Sequence, residues 1–118
     1  MEVGQIVKSL VFSVGDEVVV ALVSGPNRLD EQRLADAAGD AGAPVTRPDA
    51  GGVRAATGYP IGGVPPFGHP RPLATFVDED LLAYDEVWAA AGTPDTVFPI
   101  APTELLRLSG AEIVDVTA

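Results

Sequence analysis

Cysteine is absent from this chain of 118 residues, which removes disulfides, thiol nucleophiles and sulfur-ligated metals together. The absence permits a reducing, cytoplasmic setting, and that is the expected location. Histidine occurs once, as His69, too few for an ordinary metal site, so no metal or other cofactor is expected. No serine stands in a nucleophile-elbow motif. Long apolar runs are missing too: the longest, Val18 to Val23, is far short of a membrane span, so no membrane partner is expected. Glu2 follows Met1 and a strand is expected almost at once, so no signal peptide is expected.

Positive charge is scarce. One lysine and six arginines face seventeen acids, for a net charge of −10. A protein that grips a long stretch of nucleic acid needs a basic face, because phosphate contacts carry most of that affinity. This chain has no basic run. DNA is therefore not an expected ligand, and nucleic acid could be held only by a short end in a pocket.

What is present suffices for one domain with a core. Apolar residues make up 47% of the chain despite 13 glycines and 11 prolines, and a chain of this length buries about two thirds of its unfolded surface. Two apolar strands are expected first, at 5–14 and 17–24, joined by a Gly15-Asp16 turn. The stretch "VVVALV" is apolar on both faces, which suits a closed or covered sheet. A helix follows in "LDEQRLADAAG", with Asp30 as N-cap, Leu29 and Leu34 as a hydrophobic staple and Gly39 as its end. Residues 40–48 read as a connection, 49–57 as a weaker helix, "LATFVD" as a strand, and "EDLLAYDEVWAAAG" as a short turn or helix before a strand at 87–90. "DTVFPIA" is a strand, "PTELLRLSG" a helix from Pro102 to Gly110, and "AEIVDVT" a last strand. The class is α+β, with a mixed sheet curled towards a barrel and about three helices.

Two features carry chemistry. The first is Lys8, alone among Ile6, Val7, Leu10, Val11 and Phe12. Burying an ammonium costs several kcal/mol unless an anionic or hydrogen-bonding group meets it. Lys8 is either a snorkelling lysine or a partner for a core carboxylate, or else a cation at the bottom of a ligand cleft. The second is "GYPIGGVPPFGHPRP", residues 58–72, whose prolines stiffen a loop that its glycines allow to approach a ligand. Such a loop is either a rigid crossover or a cradle of backbone N–H donors for a carbonyl oxygen that becomes an oxyanion.

The order "IVKSLVF", "NRLDEQRLA", "ATGYPIGGVPPFG", "FVDEDLLAYDEVWAAAG" and "ELLRLSGAEIVDV" resembles the YbaK/ProX family of aminoacyl-tRNA deacylases, a domain also found as the editing insertion of bacterial prolyl-tRNA synthetases. The resemblance spans essentially all 118 residues; its specific parts are the strand lysine, Lys8, and the family's GxxxP loop, matched by Gly62 through Pro66. It implies hydrolysis of the ester between a wrong amino acid and the terminal adenosine of a tRNA, with no protein nucleophile. Lys8 would engage the backbone or ribose near the tRNA end. Gly62 and Gly63 would hold the aminoacyl carbonyl, with Tyr59, Val64, Pro65, Pro66, Phe67 and Gly68 completing the substrate pocket and excluding the cognate side chain. The substrate's own ribose hydroxyl would assist. The implied partner is mischarged tRNA, touched at its acceptor end only, with the oligomeric state open.

Other residues are weaker candidates. Arg28, Arg54 and Arg71 are either peripheral phosphate contacts or solvated arginines. His69 is either a base or a turn residue, and the implied chemistry does not require it. Asp78 is expected to cap a short helix. Family members normally carry a further helix and strand before the lysine strand, so residues 1–118 are expected to form a single domain lacking that segment. The rival readings are a non-catalytic module of the same fold that binds an acceptor end or small ligand, and an unrelated α+β domain.

Overall fold

A computed structural model describes residues 2–70 and 72–118. Among them, β1 (Val7–Val14) and β2 (Glu17–Ser24) form an antiparallel hairpin that turns at Gly15 and Asp16. The chain continues through α1 (Glu31–Ala37), β3 (Val45–Thr46), α2 (Ala50–Thr57), β4 (Ala74–Asp78), β5 (Val87–Ala90), β6 (Val97–Ile100), α3 (Pro102–Ser109) and β7 (Glu112–Val114). Single 3-10 turns cover Val3–Gln5 and Glu79–Ala83.

Local chemistry sets most of these limits. The Asp30 carboxylate accepts the Arg33 N–H at 3.1 Å to open α1, and Asp49 accepts the Gly52 N–H at 2.8 Å to open α2. Pro102 begins α3, where its missing N–H is no loss. Asp78 caps the 3-10 turn after β4 by accepting the Asp80 N–H at 2.9 Å. The first strand starts later than expected, at Val7. Residues before it curl up because the Glu2 N–H donates to Gln5 Oε1 at 2.6 Å and the Gln5 N–H to the Glu2 carbonyl at 3.0 Å.

The strands form a mixed sheet of order β3-β1-β2-β4-β7, with β4 parallel to β2 and β7 parallel to β4, and a separate antiparallel pair β5-β6. The expected curl does not close into a barrel: β3 and β7 stand at opposite ends of the order, and β5-β6 reaches the main sheet through a single bridge, Ile6 to Trp88. Closure is unnecessary because both faces are covered. On one face Val7, Val11, Val20, Leu22 and Val77 meet Val53 of α2, Leu105 of α3 and Val87 of β5. On the other, Phe12, Val14, Val19, Ala21, Val23 and Phe76 meet Leu34 and Ala35 of α1. The central strand β2 is consequently buried on both sides, with Val19 through Val23 at 0% exposure. Among the described residues no helix is long and apolar enough to cross a membrane.

Candidate active site

The two edges of β1 are used differently. The Gly25 N–H donates to the Ile6 carbonyl at 2.9 Å, and the register continues as Lys8 with Val23 and Leu10 with Ala21. Antiparallel alternation therefore commits the main-chain groups of Lys8, Leu10 and Phe12 to β2, and turns those of Val7, Ser9 and Val11 to the outer edge. On that edge Ile6 bridges Trp88 at one end, and Ser13 and Val14 pair with β3 at the other. Between these ends Ser9 and Val11 pair with no strand on this edge among the described residues, and a cavity of about 410 Å³ opens. All six residues from Ile6 to Val11 line it. Side chains alternate along a strand, so six in a row can share one cavity only when it runs along the strand's edge.

Opposite this edge stand Arg47 and Pro48 before α2, Val53 within it, Ile61, Gly62 and Val64 of the glycine-proline loop, and Trp88, Ala90, Pro94 and Val97 around the β5-β6 pair. The walls are mainly aliphatic. The cations in the lining are Lys8 and Arg47.

The Lys8 ammonium donates to the main-chain carbonyl of Asn27 at 2.6 Å, which meets the need for a partner in an apolar strand. An ammonium has three hydrogens, so two have no partner among the described residues and remain for a ligand. Asn27 is itself held: its side-chain amide donates to Asp78 Oδ2 at 2.7 Å and to Asp80 Oδ2 at 2.8 Å.

The loop residues divide. The Gly63 N–H donates to the Pro60 carbonyl at 2.9 Å and closes a turn with Gly62 at its third position, where φ is +84°. A positive φ there is the requirement of a type II turn, which favours glycine. Gly62 lines the cavity beside Val64, which is 2% exposed. Gly63 does not. Its N–H is spent inside the turn, its carbonyl accepts the Gly92 N–H at 3.0 Å, and a Cβ on it would lie 2.8 Å from Thr93 Cα. The expected cradle of loop N–H donors thus lacks this member, while the edge of β1 supplies main-chain groups that the loop reading overlooked.

Tyr59, Pro65, Pro66, Phe67 and Gly68 are absent from the cavity wall. Tyr59 packs on the core near Gly92, Pro65 and Pro66 are buried, and Phe67 meets Phe98 edge-on at 5.9 Å. Gly68 is exposed. His69 Nε2 lies 2.7 Å from the Pro65 carbonyl; a carbonyl can only accept, so the ring nitrogen carries the proton and the side chain ties the loop. Arg28 and Arg54 are exposed and outside the cavity wall, and Arg71 lies outside the described residues.

Arg47 and Ser9 are polar lining residues that no pattern in the sequence marked. Arg47 lines the cavity with its guanidinium carbon 5.5 Å from the Phe12 ring centroid; in an irregular connection nothing in the local pattern distinguished it. Ser9 and Lys8 are neighbours on a strand and point to opposite faces, so only the unpaired edge puts both at one cavity. Its Oγ is buried without a hydrogen-bond partner among the described residues.

Comparison with known proteins agrees with this architecture. Residues 1–108 match the aminoacyl-tRNA editing domain family. The chain is 31% identical over 119 residues to a protein of Enterococcus faecalis named as a candidate Cys-tRNA(Pro)/Cys-tRNA(Cys) deacylase, EbsC, with 99% of this chain and 71% of that one covered. It is 29% identical over 114 residues to the uncharacterized protein YwhH of Bacillus subtilis, with 96% and 71% covered. A crystal structure described as a candidate trans-editing enzyme for prolyl tRNA synthetase superposes with a TM-score of 0.92 at 50% identity, covering 99% of this chain and 73% of that one. With this fold and a family match over nearly its whole length, the chain belongs to the aminoacyl-tRNA editing domain family.

Proposed function

We propose that this domain is a trans-editing hydrolase that deacylates mischarged aminoacyl-tRNA in the cytoplasm, gripping only the acceptor end. The observation that supports this reading is the meeting of Lys8, Gly62 and Val64 with Arg47 at one largely aliphatic cavity. A net charge of −10 leaves little else to attract a polyanion. In this reading the aminoacyl side chain lies against the aliphatic walls and the Gly62 backbone. The two free hydrogens of the Lys8 ammonium meet a phosphate or ribose oxygen, and Arg47 takes a neighbouring phosphate. Gly63, Tyr59, Pro65, Pro66 and Phe67 act by holding the loop in place.

The reaction needs no protein nucleophile. Water adds to the ester carbonyl carbon, the bond from that carbon to the ribose oxygen breaks, and the ribose oxygen leaves with a proton, assisted by the neighbouring ribose hydroxyl. The main-chain N–H groups on the open edge of β1 are the available donors for the developing oxyanion. A deacylation panel with alanyl-, seryl-, threonyl-, cysteinyl- and prolyl-tRNA tests the proposal. Release of the amino acid from at least one substrate is expected. Binding of tRNA without release would instead identify a non-catalytic module, and neither binding nor release would refute an acceptor-end site.

A further inference from the structure

We propose that Asn27 and Asp78 are positioning residues for Lys8, acting as a clamp that aims its ammonium into the cavity. The catalytic meaning of this clamp rests on the editing reading above; the clamp itself stands on geometry alone. Three segments distant in the chain meet in it: β1, the turn after β2, and the end of β4.

Asp78 is the buried anchor, at 1% exposure. A buried carboxylate needs hydrogen-bond donors on its oxygens, and Asp78 has three: the Asp80 N–H at 2.9 Å, the Ser24 N–H at 3.1 Å and the Asn27 amide at 2.7 Å. Capping the 3-10 turn requires only the first. The other two come from the turn that presents Asn27 to Lys8.

Asn27 is correspondingly fixed. Its own N–H donates to the Ser24 carbonyl at 2.9 Å. Its side-chain amide has two hydrogens, and these meet Asp78 Oδ2 at 2.7 Å and Asp80 Oδ2 at 2.8 Å. The remaining group, the main-chain carbonyl, is the one that receives the Lys8 ammonium at 2.6 Å. Every donor of Asn27 is thus used to hold the acceptor that holds Lys8. A lysine side chain otherwise samples many rotamers, and a reacting group gains rate from being held in one geometry.

Lys8 is the only lysine in the sequence, so protein grown with lysine carrying ¹³C at the ε position gives one unambiguous side-chain signal. Its relaxation should be compared in wild type, Asn27→Ala and Asp80→Asn, together with deacylation kinetics and melting temperature. Asp78→Asn is a further variant, and the first two keep the test open if it fails to fold. In Asn27→Ala the Lys8 signal should become mobile and kcat should fall about tenfold, with KM unchanged, because the group is misaimed but still present. Asp80→Asn, which alters one of the two acceptors of the amide, should give a smaller loss in the same direction. A Lys8 signal as ordered as in wild type would overturn the clamp, and a mobile signal with unchanged kcat would overturn its positioning role. Full activity in Lys8→Ala would remove the catalytic reading of Lys8 and this role with it. If wild type deacylates nothing, the editing reading falls, and the relaxation comparison alone upholds or overturns the clamp.

Discussion

Lys8 on β1 and Gly62 in the glycine-proline loop, far apart in sequence, line the same cavity, and the ammonium of Lys8 is tethered by one hydrogen bond to the Asn27 carbonyl. A tethered cation at a cavity wall is available to a ligand without having to abandon a carboxylate partner. That arrangement makes the lysine's role measurable.

If Lys8 holds a phosphate or ribose oxygen of the reacting complex, Lys8→Ala removes a hydrogen bond to a charged group worth ~1.5–3 kcal/mol. Deacylation of mischarged tRNA should fall on the order of tenfold to a hundredfold. A lysine with a purely structural role would leave the rate unchanged, so rates and melting temperatures of the two proteins decide the matter together.

The two glycines of the turn should fail in different ways. At Gly62, φ is +84° but an added Cβ would meet only Pro94, at 3.6 Å, so Gly62→Ala carries a backbone cost of roughly 1–2 kcal/mol without a clash. It should keep the fold and lose deacylation, with threonyl-tRNA affected more than alanyl-tRNA. At Gly63 the Cβ would lie 2.8 Å from Thr93 Cα and 2.9 Å from its carbonyl carbon, and backbone cannot move aside cheaply. Gly63→Ala should therefore show the larger fall in melting temperature. Near-wild-type rates on both tRNAs for Gly62→Ala would show that the loop does not contact the amino acid.

Ser9 offers a test of stability against function. A buried hydroxyl without a partner carries a desolvation penalty of about 1–3 kcal/mol, and the Ser9 Oγ is such a group. Ser9→Ala should melt at or above the wild-type temperature. If the bound aminoacyl group supplies the missing partner, the same variant should deacylate more slowly. A lower melting temperature would mean that the hydroxyl is satisfied in solution.

At the chain's end, the Thr117 hydroxyl, with the Thr117 N–H adding to it, holds the Asp115 carboxyl below the ordinary carboxylate range, and the nearby Arg33 lowers it further. A depressed folded-state value contributes stability that is present above the unfolded value and lost as pH falls through the folded one. Acid unfolding of Asp115→Asn should consequently show a weaker loss of stability below about pH 4 than wild type, since that group no longer titrates. Superimposable acid transitions would show that the Thr117 contacts do not persist in solution.

Apart from Val64, which the family resemblance supplied, the cavity was legible from sequence only where a residue broke its local pattern. Lys8 announced itself as a charge in an apolar strand, and Gly62 as a glycine inside a proline-stiffened turn. Ser9 broke no pattern, because a serine in a strand is ordinary. Arg47 sat in a connection where neither period nor cap marks any residue. Gly63 shares the same sequence signal as Gly62, yet its neighbour Thr93 belongs to a turn thirty residues further along, and nothing local distinguishes a glycine that meets a ligand from one that meets backbone.

By itself the sequence determined the features that act over one turn of chain: Asp30 and Asp78 as caps, Pro102 and Gly110 as the limits of α3, and the hairpin of β1 with β2. Capping bonds span three or four residues, so the residues that make them are visible together. Tertiary structure decided whether the sheet closed and where the site opened. Both depend on which strand reaches the outer edge of β1, and the answer lies with Thr46 and Val45 at one end and Trp88 at the other. Between them the edge of Ser9 and Val11 stays unpaired, because β3 is only two residues long and β5, among the described residues, bridges only Ile6 just before β1. That gap is the cavity.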